Sequence, residues 1–319
     1  MRVSVVMPAY NAQDTIGAAV ASVLWQTYRE PELVVVDDGS SDKTAEIAAA
    51  HDGRVRVVRQ ENQGVAAARN RGIAEARGEL IAFCDADDVW LEQHLEALVA
   101  AYDLHGHIVT SNSWYLLPGG IDPARKRYKG RFPAPTEQRR AILEQNFVSP
   151  HSIFSRSLVE EIGPFRVERR RAEDWDFWLR AIFAGHTVAL QPKPLSLYRW
   201  GGAGLSAARD EMDADVQAVY RDVARRADLT DSERAYVNRR LEGPSPRQLV
   251  RDGDDALRTG RYDEAARAYR QAAELCPSET RLVWKARVLA PAPRLTGPLV
   301  RRRQLEMERR LGFGPEHVR

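Results

Sequence analysis

Short apolar runs and stretches of helical period alternate along the first half of the chain. Val3-Ser4-Val5-Val6-Met7, closed by Pro8, reads as a first strand. Ile16, Val20, Val23 and Leu24 then keep helical spacing, and Asp14 or Thr15 is placed to cap that helix. Glu32-Leu33-Val34-Val35-Val36 is a second buried strand, a helical stretch follows from Lys43 to Ala50, and Val55-Arg56-Val57-Val58 is a short third strand. This β-α-β-α order, with apolar runs that do not alternate, predicts a mostly parallel sheet covered on both faces, an α/β fold. Leu80 to Cys84 is a fourth strand, Leu95 to Leu104 a helix, Ile108 to Asn112 a strand and Glu137 to Asn146 a helix. Residues 117–136, with Pro, Gly and five basic side chains, are expected to form a loop.

Later the pattern changes to charged amphipathic helices, Asp210 to Arg226 and Asp231 to Arg240, and Gly243-Pro244-Ser245-Pro246 marks a boundary. Gly253, Ala256, Gly260, Tyr262, Ala265, Tyr269, Ala272 and Pro277 fit a single tetratricopeptide-like repeat over 246–279. One repeat cannot bury its own face, so it is expected to dock on the first domain, to use Leu282 to Leu289 as a capping helix or to pair with another chain. The domains expected are 1–205, a helical extension 206–243, an all-α repeat 244–290 and a basic tail 291–319.

Composition changes this picture little. The formal charge is +2, and 42 of the 47 basic residues are Arg, many in the last third. Such a balance gives no argument for nucleic acid, and the tail reads as a solvated basic helix or a contact for anionic lipid. No apolar run approaches membrane-helix length, and Cys84 and Cys276 suit reduced thiols. A cytoplasmic protein with peripheral membrane contact is the expectation.

The candidate chemistry begins where the fourth strand breaks into Asp85-Ala86-Asp87-Asp88, three carboxylates in four residues. Carboxylates so close repel unless a cation joins them, and hard oxygen ligands suit Mg²⁺ or Mn²⁺ shared with substrate phosphates. An acidic turn capping the next helix is the plain alternative. Neither G-x-G-x-x-G nor G-x-x-x-x-G-K-[ST] follows the first strand; Asp37 and Asp38 end the second instead, suited to a base or ribose, or to ordinary turn chemistry. Small residues from Gly64 open a helix in which Arg69 can reach an anion. Glu173 and Asp174 open a helix with an aromatic face; either dipole preference or an acid-base role explains them. Trp175 or Trp178 is a candidate for stacking on a ligand ring, with core packing favoured for Trp178. His151 and His186 read as structural or surface histidines.

In order, V-S-V-V-M-P-A-Y-N, V-V-V-D-D-G-S-S-D-K-T, N-Q-G-V-A-A-A-R-N-R-G and F-C-D-A-D-D-V-W closely resemble the family-2 nucleotide-sugar glycosyltransferases of the GT-A fold, over about residues 2–200. The resemblance implies inverting transfer of a sugar from a nucleoside-diphosphate donor, UDP being the expected nucleotide, to a glycan, lipid-linked or other hydroxyl acceptor, with Mn²⁺ or Mg²⁺. It places Pro8, Tyr10, Asp37, Asp38, Asn62, Gly64, Arg69, Asp85 and Ala86 around the nucleotide, with Asp85 at the ribose, and Asp87 on the metal. It makes Asp174 the general base, with Glu173 orienting the acceptor or the helix start. A family His two residues after Tyr198-Arg199 is Gly201 here, so Arg199 and the Gly-rich loop are expected at the diphosphate. The other reading is a catalytically weak platform that recruits partners through its repeat; the presence of both Asp87 and Asp174 argues against it.

Overall fold

The first apolar run becomes strand β1 (Val3–Ala9), buried along its whole length. It leads into α1 (Ile16–Leu24), β2 (Glu32–Asp37), α2 (Thr44–Ala49), β3 (Val55–Arg59), α3 (Val65–Glu75) and β4 (Leu80–Phe83). The computed structural model describes residues 2–51, 53–106, 108–200, 209–277 and 279–310. Two compact units divide the chain, Met1–Val219 and Tyr220–Arg319.

In the first unit β1 pairs in parallel with β2 on one side and β4 on the other, and β2 with β3. The order β3-β2-β1-β4 reverses direction between β1 and β4, and ligands of open α/β sheets bind beyond the strand ends at such a reversal. The chain continues through β5 (Val89–Trp90), α4 (His94–His105), β6 (Ile108–Leu117), β7 (Gly120–Lys126), α5 (Gln138–Glu144), β8 (Ser152–Ser155), α6 (Arg156–Ile162), α7 (Glu173–Phe183) and β9 (Val188–Arg199). β8 joins β4 to β6 antiparallel, and β9 lies parallel to β6 and antiparallel to β5. The result among the described residues is one nine-stranded mixed sheet, β3-β2-β1-β4-β8-β6-β9-β5, with β7 beside β6.

Alternate residues of β1 serve opposite faces. Val3, Val5 and Met7 pack with Ile16, Val20, Leu95 and Leu98 in the main core, while Val6 faces α3. A Cβ built on Gly72 of α3 would stand 2.2 Å from Val6 Cγ1, so only glycine lets that helix lie so close to the sheet.

The expected loop 117–136 contains a strand. Pro118-Gly119 turns the chain so that Leu117 faces Gly120, and β7 runs back along β6 as an edge strand, where Pro123 sacrifices no needed donor. β9 likewise carries Pro192 and Pro194, absorbed by register shifts against β6 around Asn112. Asn112 Nδ2 donates to the Pro192 carbonyl at 3.2 Å.

Helix α8 (Arg209–Ala224) spans the division between units. In the second unit, α9 (Asp231–Glu242) opens on a Thr230/Glu233 capping box and α10 (Pro246–Arg258) on Ser245, which accepts from Gln248 N at 3.1 Å. α11 (Tyr262–Leu275), α12 (Thr280–Leu289) and α13 (Pro293–Arg310) follow. Leu249, Leu257, Ala265, Tyr269, Leu282, Leu289 and Val300 form the core of α10 to α13. Beneath it the buried Lys285 Nζ donates to Asp254 (2.7 Å), the Tyr269 hydroxyl (3.0 Å) and Gln304 Oε1 (3.0 Å). No described helix is long and apolar enough to cross a membrane.

Candidate active site

The loops after β1, β2 and β4 emerge at one edge of the sheet, because Ala9 pairs with Asp37 and Val6 with Phe83. The first two are laced together: Asp38 N donates to the Ala9 carbonyl at 2.8 Å, Asn11 N to Ser40 Oγ at 2.9 Å, and Ser41 N to Asn11 Oδ1 at 2.9 Å. Pro8 is buried in β1, whereas Tyr10 stands 54% exposed beyond it. Asp37 is fully buried and accepts from Ser40 N and Arg59 Nε, at 3.1 and 3.0 Å. Asp38 faces the start of α3, accepting from Gln63 N (2.9 Å) and Gly64 N (2.8 Å), and from the Gln60 side chain at 2.7 Å. Gly39, with φ +78°, admits the Asn62 backbone so closely that a Cβ there would meet its nitrogen at 2.8 Å. Asp38 thus orients the 60–64 segment, and Asn62 remains exposed at the rim.

The Asp85–Asp88 turn is sorted residue by residue. Asp88 is buried and both its oxygens are occupied: Oδ2 accepts from His151 Nε2 at 2.7 Å and Oδ1 from Arg199 N at 2.8 Å. The imidazole is fixed in turn by Ser196 Oγ, 2.8 Å from Nδ1. Arg199 Nε donates to the Asp87 carbonyl at 2.8 Å, so the last residue of β9 clasps the turn from its backbone side. Ala86 is buried, Asp85 is half-buried and Asp87 is exposed. Desolvation in the turn, followed by the charges of Asp88 and Asp85, pushes the Asp87 carboxyl up to about 7. Gly201 and the Gly-rich loop to Ser206 lie outside the described residues.

Arg69 connects this turn to the second acidic centre. Its Nη2 lies 3.2 Å from Asp85 Oδ1 and its Nη1 2.7 Å from Glu173 Oε1, beside the touching rings of Phe83 and Phe165. Burial opposes the guanidinium charge, but Asp85, Glu173 and Asp174 outweigh it and raise its pKa further. Asn70, one residue on, clasps Phe165 through its backbone N–H and carbonyl, at 2.8 and 2.7 Å.

At the start of α7, burial and then the neighbouring Asp174 push the Glu173 carboxyl up to about 7, against the pull of Arg69. Burial also raises Asp174, partly offset by Arg69. Asp174 Oδ2 accepts from Asn146 Nδ2 at 2.9 Å, and Asn146 Oδ1 accepts from Val148 N at 3.1 Å. Arg127 Nη2 reaches the Val148 carbonyl at 3.3 Å, and Tyr128 bonds the Phe147 carbonyl at 2.5 Å. The end of the β7 hairpin therefore steadies the loop that orients Asp174. Asp176 is engaged elsewhere, with Arg166 and Arg180. Trp175 donates to the Ile142 carbonyl at 2.7 Å and, like Trp178, is buried; neither indole is open for stacking on a sugar. Asn146, Arg127 and the Asp88–His151 pair carry no sequence signal of their own.

The chain matches the family described as Glycosyl transferase family 2 over residues 4–163. It is 30% identical over 234 residues, 68% of this chain and 67% of the relative, to the uncharacterized glycosyltransferase EpsJ of Bacillus subtilis. It is 44% identical over 100 residues to the Escherichia coli UDP-Glc:alpha-D-GlcNAc-diphosphoundecaprenol beta-1,3-glucosyltransferase WfgD, a match spanning 31% of this chain and only 40% of that protein. Among solved structures, Staphylococcus aureus TarS 1–349 in complex with UDP-GlcNAc superposes with a TM-score of 0.61 at 19% identity, covering 98% of this chain and 92% of that one. The Pyrobaculum calidifontis mannosyltransferase PcManGT, in complex with GDP-Man and Mn²⁺, gives 0.59 at 20% identity, covering 97% and 84%. At these identities the superpositions establish a shared fold, in accord with the GT-A arrangement. On the family match and the EpsJ relationship, the chain belongs to glycosyl transferase family 2.

Proposed function

We propose that the chain is an inverting glycosyltransferase that moves a hexosyl group from a UDP-sugar to a hydroxyl of a glycan or lipid-linked acceptor. The observation that carries this reading is Arg69: one buried guanidinium touches both Asp85 of the donor-side turn and Glu173 of the acceptor-side pair. The Asp85 turn and the acidic start of α7 thereby lie within one side chain's reach of each other. The UDP-sugar named for WfgD and the UDP-GlcNAc bound to TarS support the choice of nucleotide, and the WfgD acceptor supports a lipid-linked one.

In this reading Pro8, Tyr10, Asn62 and Gly64 border the nucleoside, Asp37 and Asp38 set the shape of its pocket, and Arg69, Asp85, Ala86 and Arg199 border the ribose and diphosphate. Asp174 accepts the proton of the acceptor hydroxyl as that oxygen bonds the anomeric carbon. The bond from that carbon to the diphosphate breaks, and UDP leaves with the electron pair. Glu173 keeps Arg69 and the helix start in place. A carboxyl whose pKa is raised is a better proton acceptor, which suits Asp174 to this role.

The donor set fits a hard divalent cation. With Asp88 consumed by His151 and Arg199, the turn offers oxygens of Asp87 and Asp85, and Mg²⁺ and Mn²⁺ usually take one or two protein carboxylates and complete their shell from phosphate and water. Asp87 would be the principal ligand, and the bound ion would supply positive charge against the leaving diphosphate. The proposed domains are 1–205 for transfer, 206–243 as a helical link, 244–290 as a tetratricopeptide-like repeat and 291–319 as a basic tail, with peripheral contact to a cytoplasmic membrane face or a partner through the last two.

Transfer rate and nucleotide affinity in three variants test the reading. Asp87→Asn should abolish the Mn²⁺-dependent part of UDP binding in calorimetry. Asp174→Asn should leave the Mn²⁺ dependence of that binding intact and lower transfer roughly 10²–10⁴-fold, with Glu173→Gln costing less. Equal modest losses in the last two, tracking melting temperature, would move the base elsewhere.

A further inference from the structure

We propose that the outward face of α13 is a docking surface for anionic lipid. Val300 is buried, Gln304 is held by Lys285, and Gly297 lies so close to the Tyr262 ring that a Cβ would meet it at 2.2 Å. These three fix the inner side of the helix and so define the opposite one. On that opposite side Leu295 and Leu299, one turn apart, are 79% and 69% exposed. Arg301, Arg302 and Arg303 follow at once, all exposed. On α12, Trp284 is 39% exposed, with the Arg303 guanidinium 4.8 Å over its ring.

Charge complementarity selects the occupant. After Glu279 the chain holds ten of its 47 basic residues and three of its 45 acidic ones, so the last 40 residues carry +7 while the first 279 carry −5. The near-neutral total conceals a strongly basic end. Leucines that protrude from a convex helix, an indole at their flank and long-stemmed arginines around them match the boundary between headgroups and acyl chains. A fluid anionic surface needs no shape match, only hydrocarbon for the leucines and phosphate for the arginines.

The inference deepens the peripheral contact proposed above but is independent of transfer chemistry, because binding is measured without donor or acceptor. The full-length chain is sedimented with phosphatidylcholine vesicles, with and without about 30% phosphatidylglycerol. Anionic vesicles should bind at least tenfold more tightly, less so at high salt. Leu295→Ser with Leu299→Ser should weaken binding about tenfold, and Arg301→Gln, Arg302→Gln and Arg303→Gln together about a hundredfold. All five side chains are exposed, so circular dichroism melts of these variants should match the parent. Equal binding to both vesicle types overturns the proposal. So does full retention of binding in the leucine variant, which would signify charge attraction alone, or displacement by millimolar inorganic phosphate at constant ionic strength, which would signify a single-anion site. Capture of a soluble acidic protein with no vesicle binding would reassign the face to a protein partner.

Discussion

Asn146 is in direct hydrogen-bond contact with the candidate base. Its amide N–H donates to Asp174 Oδ2 and so favours the ionised carboxylate, against the burial that raises its pKa. Only the ionised form accepts a proton, so activity is lost as pH falls through that pKa. Asn146→Leu removes the donor; the pKa rises further, and the acidic limb of the rate profile should move upward by about 1 to 2 pH units, the worth of a bond to a charged group. Above the acidic limb, where Asp174 is ionised in both proteins, nucleotide affinity should stay unchanged. A uniform fall in rate at every pH, with the limb unmoved, would mean that Asn146 only supports the fold. The carboxylates themselves were legible because each cluster is contiguous in sequence. Their partners were not: Asn146 is 28 residues from Asp174, and His151 is 63 from Asp88. No spacing rule reaches across such gaps, and a histidine that orients Asp88 looks like any buried histidine until the chain is folded.

Among the elements, α3 carries Arg69 and must lie hard against β1. Gly72, three residues after Arg69, makes this possible, and Gly72→Ala forces its new methyl into Val6. Overpacking of this kind costs about 1–3 kcal/mol, or roughly 2–4 °C of melting temperature per kcal/mol in a unit this size. Lifting α3 also moves the guanidinium, so UDP affinity should fall together with stability; a lower melting temperature with unchanged affinity would uncouple Arg69 from the packing of its helix. The parallel strands were readable because β2 and β4 are built on continuous apolar runs and β1 on one broken only by Ser4. β7 and β9 were not, since Pro118, Pro123, Pro192 and Pro194 interrupt the patterns by which strands are recognised, and only pairing along β6 reveals that both are strands.

For the whole molecule, every proposed donor and base residue precedes Tyr220, where the second unit begins. Truncation after Arg226, just beyond α8, should keep UDP affinity within about threefold, because sites are local to the unit that builds them. Loss of nucleotide binding in a truncated chain that still melts cooperatively would show that the second unit completes the site. Composition alone disguised this division of labour: the formal charge of +2 averages an acidic body with a basic end.

The position of Arg69 has a thermodynamic corollary. One cation serves two acids, so a donor that claims Asp85 leaves more of that charge to Glu173 and Asp174. Their proton affinity then drops, which at Glu173 starts from about 7. Linkage is reciprocal: if the nucleotide expels a proton, alkali must strengthen the nucleotide's hold. Calorimetry of UDP in two buffers of different ionisation heat should register proton release near neutral pH, and affinity should climb between about pH 5 and 8. Heats independent of the buffer would show that the guanidinium is shared in space but not in energy. With release, the base is armed only once the donor has arrived, and the enzyme has a built-in order of addition, nucleotide sugar first and acceptor second.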